Sequence, residues 1–510
     1  MRKLLKFLTG RLFISIILVL FQIGVLVSVL GYAKHDSLWI QIFSTFSIVM
    51  ALYVVTSDVN PAYKIGWMLI FMIFPLYGGI FYFLFGNRKM NMVMVRWFHE
   101  YNELCSKGME KVPAHDGLPM KALASFDSNL ARQGQYIANI SGFPLWGNTE
   151  VQYFPSGEDW VLDVLEELKK AREFIFLEFF IIGLGEVWNA ILAILLEKKR
   201  EGLTIFLMFD DVGSMVDVPS HYERKLRALG LDAVAFNPMG IHVNSRLNSR
   251  DHRKVLVIDG NIGYTGGVNI ADQYANRKVS YGHWKDTAVK LKGDAVWNLS
   301  VMFLQLWSFS THRSYDFSLF RPTYSGKMDG FVQPFGDSPL DNQNIAENAY
   351  IQIINMAKDY VWITTPYLVL DNEMITALKI AAQSGVDVRI ITPHIPDKWY
   401  VFAVTRDNYK ALLEAGVRIF EYTPGFIHAK MFVSDDKVAI IGTINMDYRS
   451  FFLHFENGIL FYGSSVIKVV SEDVKQTFEL SEEITLEYMH SLPFYKRIIG
   501  TVLRLAAPLL

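Results

Sequence analysis

The chain has 510 residues, enough for about three domains, and 51% of them are apolar. A formal net charge of −2 with no long basic block excludes the electrostatic footprint of a nucleic-acid-binding protein. A single cysteine, Cys105, excludes a disulfide framework and any metal site built from thiolates.

Three charge-free runs open the chain, at 12–30, 38–55 and 65–85. At a rise of about 1.5 Å per helical residue, each matches the hydrocarbon thickness of a bilayer. The first is read as a retained span, because it is too long for a signal peptide and Gly31-Tyr32-Ala33-Lys34 is a poor cleavage site. Arg2, Lys3, Lys6 and Arg11 precede the runs, and Arg88, Lys89 and Arg96 follow them, so both flanks read as cytoplasmic. Three full crossings cannot place both flanks on one side. Pro75 and Gly78-Gly79 interrupt the third run, so two crossings plus a re-entrant or interfacial segment fit the charges, with three crossings as the alternative. Residues 1–111 are thus expected to be a multi-pass region in the cell membrane, with the remainder at the cytoplasmic face.

Residues 112–150 are polar and turn-rich and read as a linker with some local helix. From Val151, strands and helices alternate. In 151–325, helical periodicity covers 159–172, 190–200 and 222–229, with β-rich runs at 174–180, 203–209 and 255–258. In 326–492, helices are expected at 345–358, 373–384 and 408–415, and strands at 361–365, 386–392, 417–422 and 430–433. Lys170-Ala171-Arg172-Glu173-Phe174-Ile175 answers Met356-Ala357-Lys358-Asp359-Tyr360-Val361, so the two halves are a tandem duplication. The expected fold class is α/β: two tandem domains with mixed sheets flanked by helices, behind the membrane region. Residues 493–510 mix apolar and basic side chains and read as an amphipathic segment, either interfacial or docked on the second domain.

Each half carries the same motif. The first copy is His252, Lys254, Asp259, Gly266 and Asn269; the second, at identical spacing, is His428, Lys430, Asp435, Gly442 and Asn445. Residues two apart on a strand share a face, so each histidine projects with its lysine. Asp259 and Asp435 fall at odd offsets, and Asp259-Gly260-Asn261 reads as a tight turn; these aspartates are structural members of the catalytic motif. If the halves pack about a pseudo-twofold axis, two ammonium groups, two imidazoles and the amides of Asn269 and Asn445 surround one point. That donor-rich, positive set suits a phosphate. The lysines supply the charge a metal would, so no metal and no cofactor is expected. One imidazole can attack phosphorus while the other moves a proton. Asp286 and Glu456, downstream of the two motifs, are candidate partners that fix the imidazole tautomers. Asp210-Asp211 lacks a counterpart in the second half and is read as structural or substrate-orienting rather than metal-binding.

The duplicated H-x-K-x4-D-x6-G-x-x-N resembles the phospholipase D superfamily. Asn60-Pro61-Ala62-Tyr63-Lys64-Ile65-Gly66-Trp67, Phe176-Leu177-Glu178-Phe179-Phe180 and Asn445-Met446-Asp447-Tyr448-Arg449-Ser450-Phe451 make the bacterial cardiolipin synthases of that superfamily the closer resemblance. One departure is Gly267 and Thr443, where the superfamily often has Ser. The resemblance implies phosphatidyl transfer between two phosphatidylglycerol molecules in the bilayer, giving cardiolipin and glycerol. The motif does not say which histidine attacks; His252 is the preferred nucleophile and His428 the acid/base. A phospholipase D-type hydrolase and an inactive membrane scaffold are the rival readings.

Overall fold

The computed structural model describes residues 38–57, 60–74, 77–86, 117–238, 249–340, 343–505 and 507. The chain divides into two compact units, Met1–Asn87 and Arg88–Leu510.

In the first unit, helix Leu38–Thr56 is followed by Pro61–Ile73, then by the short helix Gly78–Phe81 and a wide turn at Tyr82–Gly86. Asn60 caps the second helix by accepting from Ala62 N at 3.0 Å, and Pro61 takes its first position, where a missing N–H costs little. The charge-free run 65–85 is therefore not one segment: the helix stops at Ile73 and restarts at Gly78. Glycine is required there, because a Cβ on Gly78 would lie 2.9 Å from the Phe71 backbone and one on Gly79 2.9 Å from that of Ser47. Tyr63, Trp67, Phe71 and Tyr82 form the buried aromatic centre of the unit, with Trp67 and Tyr82 edge-to-face at 5.1 Å. Among the described residues, no helix is long and apolar enough to cross a membrane. The run 12–30 lies outside the described residues.

In the second unit the duplication becomes two mixed sheets. The first half supplies β1 (Thr149–Phe154), β2 (Phe174–Phe179), β3 (Thr204–Asp210), β4 (Asp232–Phe236), β5 (Lys254–Ile258), β6 (Ile262–Gly266), β7 (His283–Lys285) and β8 (Ala288–Gly293). The second supplies β9 (Phe331–Asp337), β10 (Tyr360–Thr364), β11 (Leu368–Val369), β12 (Asp387–Pro393), β13 (Arg418–Tyr422), β14 (Gly425–Ile427), β15 (Met431–Ser434), β16 (Val438–Gly442), β17 (Met446–Asp447), β18 (Glu456–Tyr462) and β19 (Ser481–Ile484). The sheet orders are β1-β8-β6-β5-β2-β3-β4 and β9-β18-β16-β15-β10-β12-β13-β19. Strand for strand these are the same sheet, with β19 added at one edge. In each, a parallel trio (β2, β3, β4; β10, β12, β13) meets an antiparallel set at the motif strand, β5 or β15. The central strands are covered on both faces, so β2 reads Phe-Ile-Phe-Leu-Glu-Phe with every residue buried.

Helix Val296–Thr311 is buried on nearly every side, because it packs on β2, β5, β6 and β8 and also meets β9 of the other sheet. Helix Val466–Glu479 does the reverse, packing on β15, β16 and β18 and meeting β1. The stretch expected as a linker holds two helices, Leu118–Phe126 and Ser128–Ser141, the second packed on β9 and on helix Ile345–Met356. Gln133 Nε2 donates to Ala349 O, and Gln333 Nε2 to Gly134 O, both at 3.0 Å. The polar composition of this stretch hides the buried side of that helix, which is narrow: Leu130, Ala131, Gln133, Gly134 and Ile137.

Candidate functional site

Both motif strands enter the site along the other half of the molecule. Gly425–Ile427 pairs in parallel with His283–Lys285, and His428 N donates to Lys285 O at 2.7 Å. In the mirrored position Asp251 bridges Phe455, and His252 N donates to Phe455 O at 2.9 Å. The next residue on each partner strand is the acid. His252 Nδ1 lies 2.9 and 3.0 Å from the two oxygens of Glu456, and His428 Nδ1 lies 2.6 Å from Asp286 Oδ2. The histidine–carboxylate pairs are thus crossed between the halves.

All four motif bases are buried. Lys254 Nζ donates to His252 O at 2.5 Å, and Lys430 Nζ donates to His428 O. Burial, then Lys254 and Lys430, hold His252 well below its ordinary value. Burial and Lys430 bring His428 to about 4, against the pull of Asp286. Burial lowers Lys254 to about 8 and Lys430 to about 7. Burial would raise Asp286, but His428 and Lys430 more than offset it and leave the carboxyl below its usual range. Each imidazole is therefore neutral, donates its Nδ1 proton to a carboxylate, and keeps the Nε2 lone pair. His252 feels Lys430 and His428, and both His428 and Lys430 feel Lys254, so the two pairs stand within electrostatic reach of one another.

The remaining expected residues divide. Asn269 Oδ1 accepts from Ile181 N at 3.0 Å, while Asn445 Oδ1 is buried without a hydrogen-bond partner. Gly266 and Gly442 are places of close approach: a Cβ would stand 2.4 Å from Thr287 O and 2.3 Å from Asn457 O. Asp259 and Asp435 lie at the far ends of β5 and β15 from the histidines. Asp259 accepts from the backbone N–H groups of Arg172, Glu173 and Phe174 at 2.8–3.0 Å, and Asp435 from those of Lys358, Asp359 and Tyr360 over the same range. They tie each motif hairpin to the start of β2 or β10. Asp210 is buried and accepts from Val212 N, Gly213 N and Asp251 N at 2.9–3.0 Å, so it fixes the residue before His252.

Several contributors carry no sequence signal of their own. The His428 ring is enclosed by Trp284, Tyr274 and Phe426, with centroids 5.3, 5.4 and 5.9 Å away. Around His252 the matching places are taken by Phe180 at 4.9 Å and His454 at 5.7 Å. His454 occupies the position that Trp284 holds in the first half, and neither of its ring nitrogens has a hydrogen-bond partner. Thr443 Oγ1 donates to Glu456, whereas at the matching Gly267 a Cβ would stand 2.0 Å from Asp286 Oδ1. The ligand atoms of His252, His454 and Glu456 lie within 4.8 Å of one another, a spacing a cation could use. Two ammonium groups share the cavity, however, and the Glu456 carboxylate is already engaged by His252 and Thr443. The set favours an anion.

Paired H-x-K strands from duplicated sheets, with crossed histidine–carboxylate pairs and buried lysines, are the architecture of the phospholipase D superfamily. The chain matches the family described as "Cardiolipin synthase, PLD-like domain" over residues 350–478 and "Phospholipase_D-nuclease N-terminal" over 45–87. It is 34% identical to a cardiolipin synthase of Geobacillus kaustophilus, over 96% of this chain and 99% of that one. It is 33% identical to a cardiolipin synthase of Alkalihalophilus pseudofirmus, over 94% and 96%. The crystal structure of phosphatidylserine synthase from Haemophilus influenzae superposes with a TM-score of 0.57, covering 74% of this chain and 97% of that one at 14% identity, a likeness of fold alone. The chain belongs to the cardiolipin synthase family of the phospholipase D superfamily.

Proposed function

We propose that the protein is a phosphatidyltransferase that converts two phosphatidylglycerol molecules into cardiolipin and glycerol, through a covalent phosphohistidine and with no metal or cofactor. The observation that carries this reading is the crossed arrangement: two neutral imidazoles, each held at Nδ1 by the other half's carboxylate, beside two buried ammonium groups. The family's named relatives support the choice of lipid substrate.

The lysines and the Asn269 and Asn445 amides hold the phosphodiester. His252 Nε2 attacks phosphorus as the bond to the headgroup oxygen breaks. His428 gives its proton to the leaving alkoxide, and glycerol departs. The bound anion raises the proton affinity of His428 above its empty-cavity value, which lets it carry that proton. A terminal glycerol hydroxyl of the second phosphatidylglycerol then returns a proton to His428 and attacks phosphorus. The P–N bond breaks, cardiolipin leaves, and His252 recovers its lone pair. His252 takes the nucleophile's part and His428 the acid/base part in this reading; burial holds both imidazoles below their ordinary value, so each keeps its lone pair. Residues 151–325 and 326–492 act as the two phospholipase D-like domains. Residues 1–111 hold them at the cytoplasmic face of the cell membrane through two or three charge-free segments.

Incubating the purified protein with phosphatidylglycerol in chelator and analysing lipids by mass spectrometry tests the reading. Cardiolipin and glycerol are expected. Phosphatidic acid alone would mean hydrolysis, and activity that returns only with added divalent ions would remove the metal-free mechanism.

A further inference from the structure

Three loops that run out from the site end in exposed apolar side chains. The loop after β3 presents Val216, 88% exposed; the loop before β7 presents Val279, 76% exposed; the loop after β12 presents Ile395 and Trp399, the latter 67% exposed. They come from both halves but form one rim. Ile395 Cδ1 lies 3.3 Å from where a Cβ on Gly282 would stand, which sets the β12 loop against the β7 loop. A Cβ on Gly183 would stand 3.5 Å from Asp217 Cβ and 2.9 Å from Ala271 Cβ, which sets the β3 loop close to the segment that runs into the β7 loop.

Each loop is rooted in the site. Gly213 is pressed against Phe180, whose ring lies 4.9 Å from His252. Tyr281 lies 6.1 Å from Phe426, which in turn is 5.9 Å from His428. Lys398 Nζ donates to Tyr367 at 3.0 Å, and its charge reaches His252. Exposed Arg277, Lys278 and Lys398 flank the apolar tips. The acids of the rim are engaged: Asp397 accepts from Tyr367 at 2.6 Å and pairs with Lys398 at 3.3 Å, and burial raises Asp217 against the pull of Lys278.

Scattered exposed apolar residues are ordinary on a protein surface. Apolar tips gathered on three neighbouring loops rooted in one site, with cations beside them, have the composition of an interfacial membrane contact. We propose that this rim docks the histidine site onto an anionic phospholipid bilayer: Val216, Val279 and Trp399 enter the acyl boundary while Arg277, Lys278 and Lys398 meet the headgroups, so that a lipid's phosphate reaches the histidines from the bilayer. This rests on the phosphatidyltransferase reading for the identity of the lipid, but the docking itself can be measured without turnover.

The full-length chain carrying Cys105→Ser is labelled with an environment-sensitive dye at Val279→Cys, or at Glu166→Cys on the helix that leads into the opposite end of β2. It is then reconstituted into phosphatidylglycerol–phosphatidylcholine vesicles containing doxyl-labelled lipid. Quenching at position 279 by roughly half, with little at 166, is expected for insertion to the depth of an interfacial side chain. No quenching at 279, equal quenching at both positions, or a dye shift that follows protein concentration rather than lipid (a second copy covering the rim) overturns the proposal. A kinetic arm uses Val216→Asp with Trp399→Asp. The KM for bilayer phosphatidylglycerol should rise by about tenfold, while kcat/KM on monomeric dihexanoyl-phosphatidylglycerol stays within about twofold, because only the bilayer substrate needs the rim. Equal losses on both substrates overturn the proposal. Quenching at 279 in a protein that makes no cardiolipin would leave the docking intact and remove the functional reading instead.

Discussion

His252 and His428 are chemically alike but stand in different surroundings, and the difference is open to measurement. Replacing either with Ala should abolish cardiolipin formation. With His428→Ala, label from the phosphatidyl group of phosphatidylglycerol should remain on His252 after denaturation, since resolving the intermediate needs the lost base; label found on no residue would exclude the covalent step. The lysines set a second test. Substrate binding needs them charged, and burial brings Lys430 to about 7 and Lys254 to about 8. As pH rises through these values the ammonium charge is lost, so kcat/KM should fall on the alkaline side. It should also fall in acid, where His252, held well below its ordinary value by burial and then by Lys254 and Lys430, finally takes a proton and loses the lone pair that attacks phosphorus. Lys430→Arg keeps its charge at any working pH, so its alkaline limb should move upward; a limb that stays in place would show that another group controls it. The asymmetry at Gly267 gives a third. Gly267→Ala brings a methyl to 2.0 Å from Asp286 Oδ1 and must displace the carboxylate that orients His428. Turnover should drop by about 100-fold, the usual cost of a misplacement near 1 Å, while the fold persists.

At the scale of elements, the motif divides its labour along one strand. The histidine–lysine pairs stand at the start of β5 and β15, and an aspartate anchor stands at the far end of each. Asp259 adopts φ 52° and Asp435 φ 53°, the left-handed region that Asp tolerates better than most residues, and each accepts three backbone N–H groups. Asp259→Ala loses those bonds and should cost about 2 kcal/mol of stability. It should lower the unfolding temperature while the kcat of the folded protein stays within about twofold, well short of a true catalytic loss. A collapse of kcat with unchanged stability would place Asp259 in the chemistry instead. The C-terminal helix Phe494–Leu505 lies against helix Trp399–Leu413, with Gly500 at Ala403 and Arg504 at Asp407, and leaves Phe494, Ile498 and Val502 exposed. The two sequence readings of this segment, docked and interfacial, are therefore compatible: one face docks while the other remains apolar.

For the whole molecule, the crossed carboxylates mean that neither half holds a complete site. The first half contains His252 without Glu456, and the second His428 without Asp286. Residues 1–325 and 326–510 expressed separately should therefore make no cardiolipin, and their coexpression should restore it, as measured by conversion of labelled phosphatidylglycerol. Activity in either fragment alone would mean that each half, or its dimer, builds a site without the crossing.

The duplication, both H-x-K pairs, the positions of the central strands and the turns beyond them are legible in the residues alone. These are local properties: a strand buried on both faces must be continuously apolar, as in Phe174–Phe179, and a tight turn must begin with a residue such as Asp259. Only the tertiary structure decided which carboxylate serves which histidine, because the partners lie 204 and 142 residues apart and meet only when the two sheets associate. It also placed His454 beside His252, closed 118–141 onto the second sheet, and broke the run 65–85 at Ile73. Each of these depends on what a side chain packs against, which hydrophobic periodicity along one segment does not record.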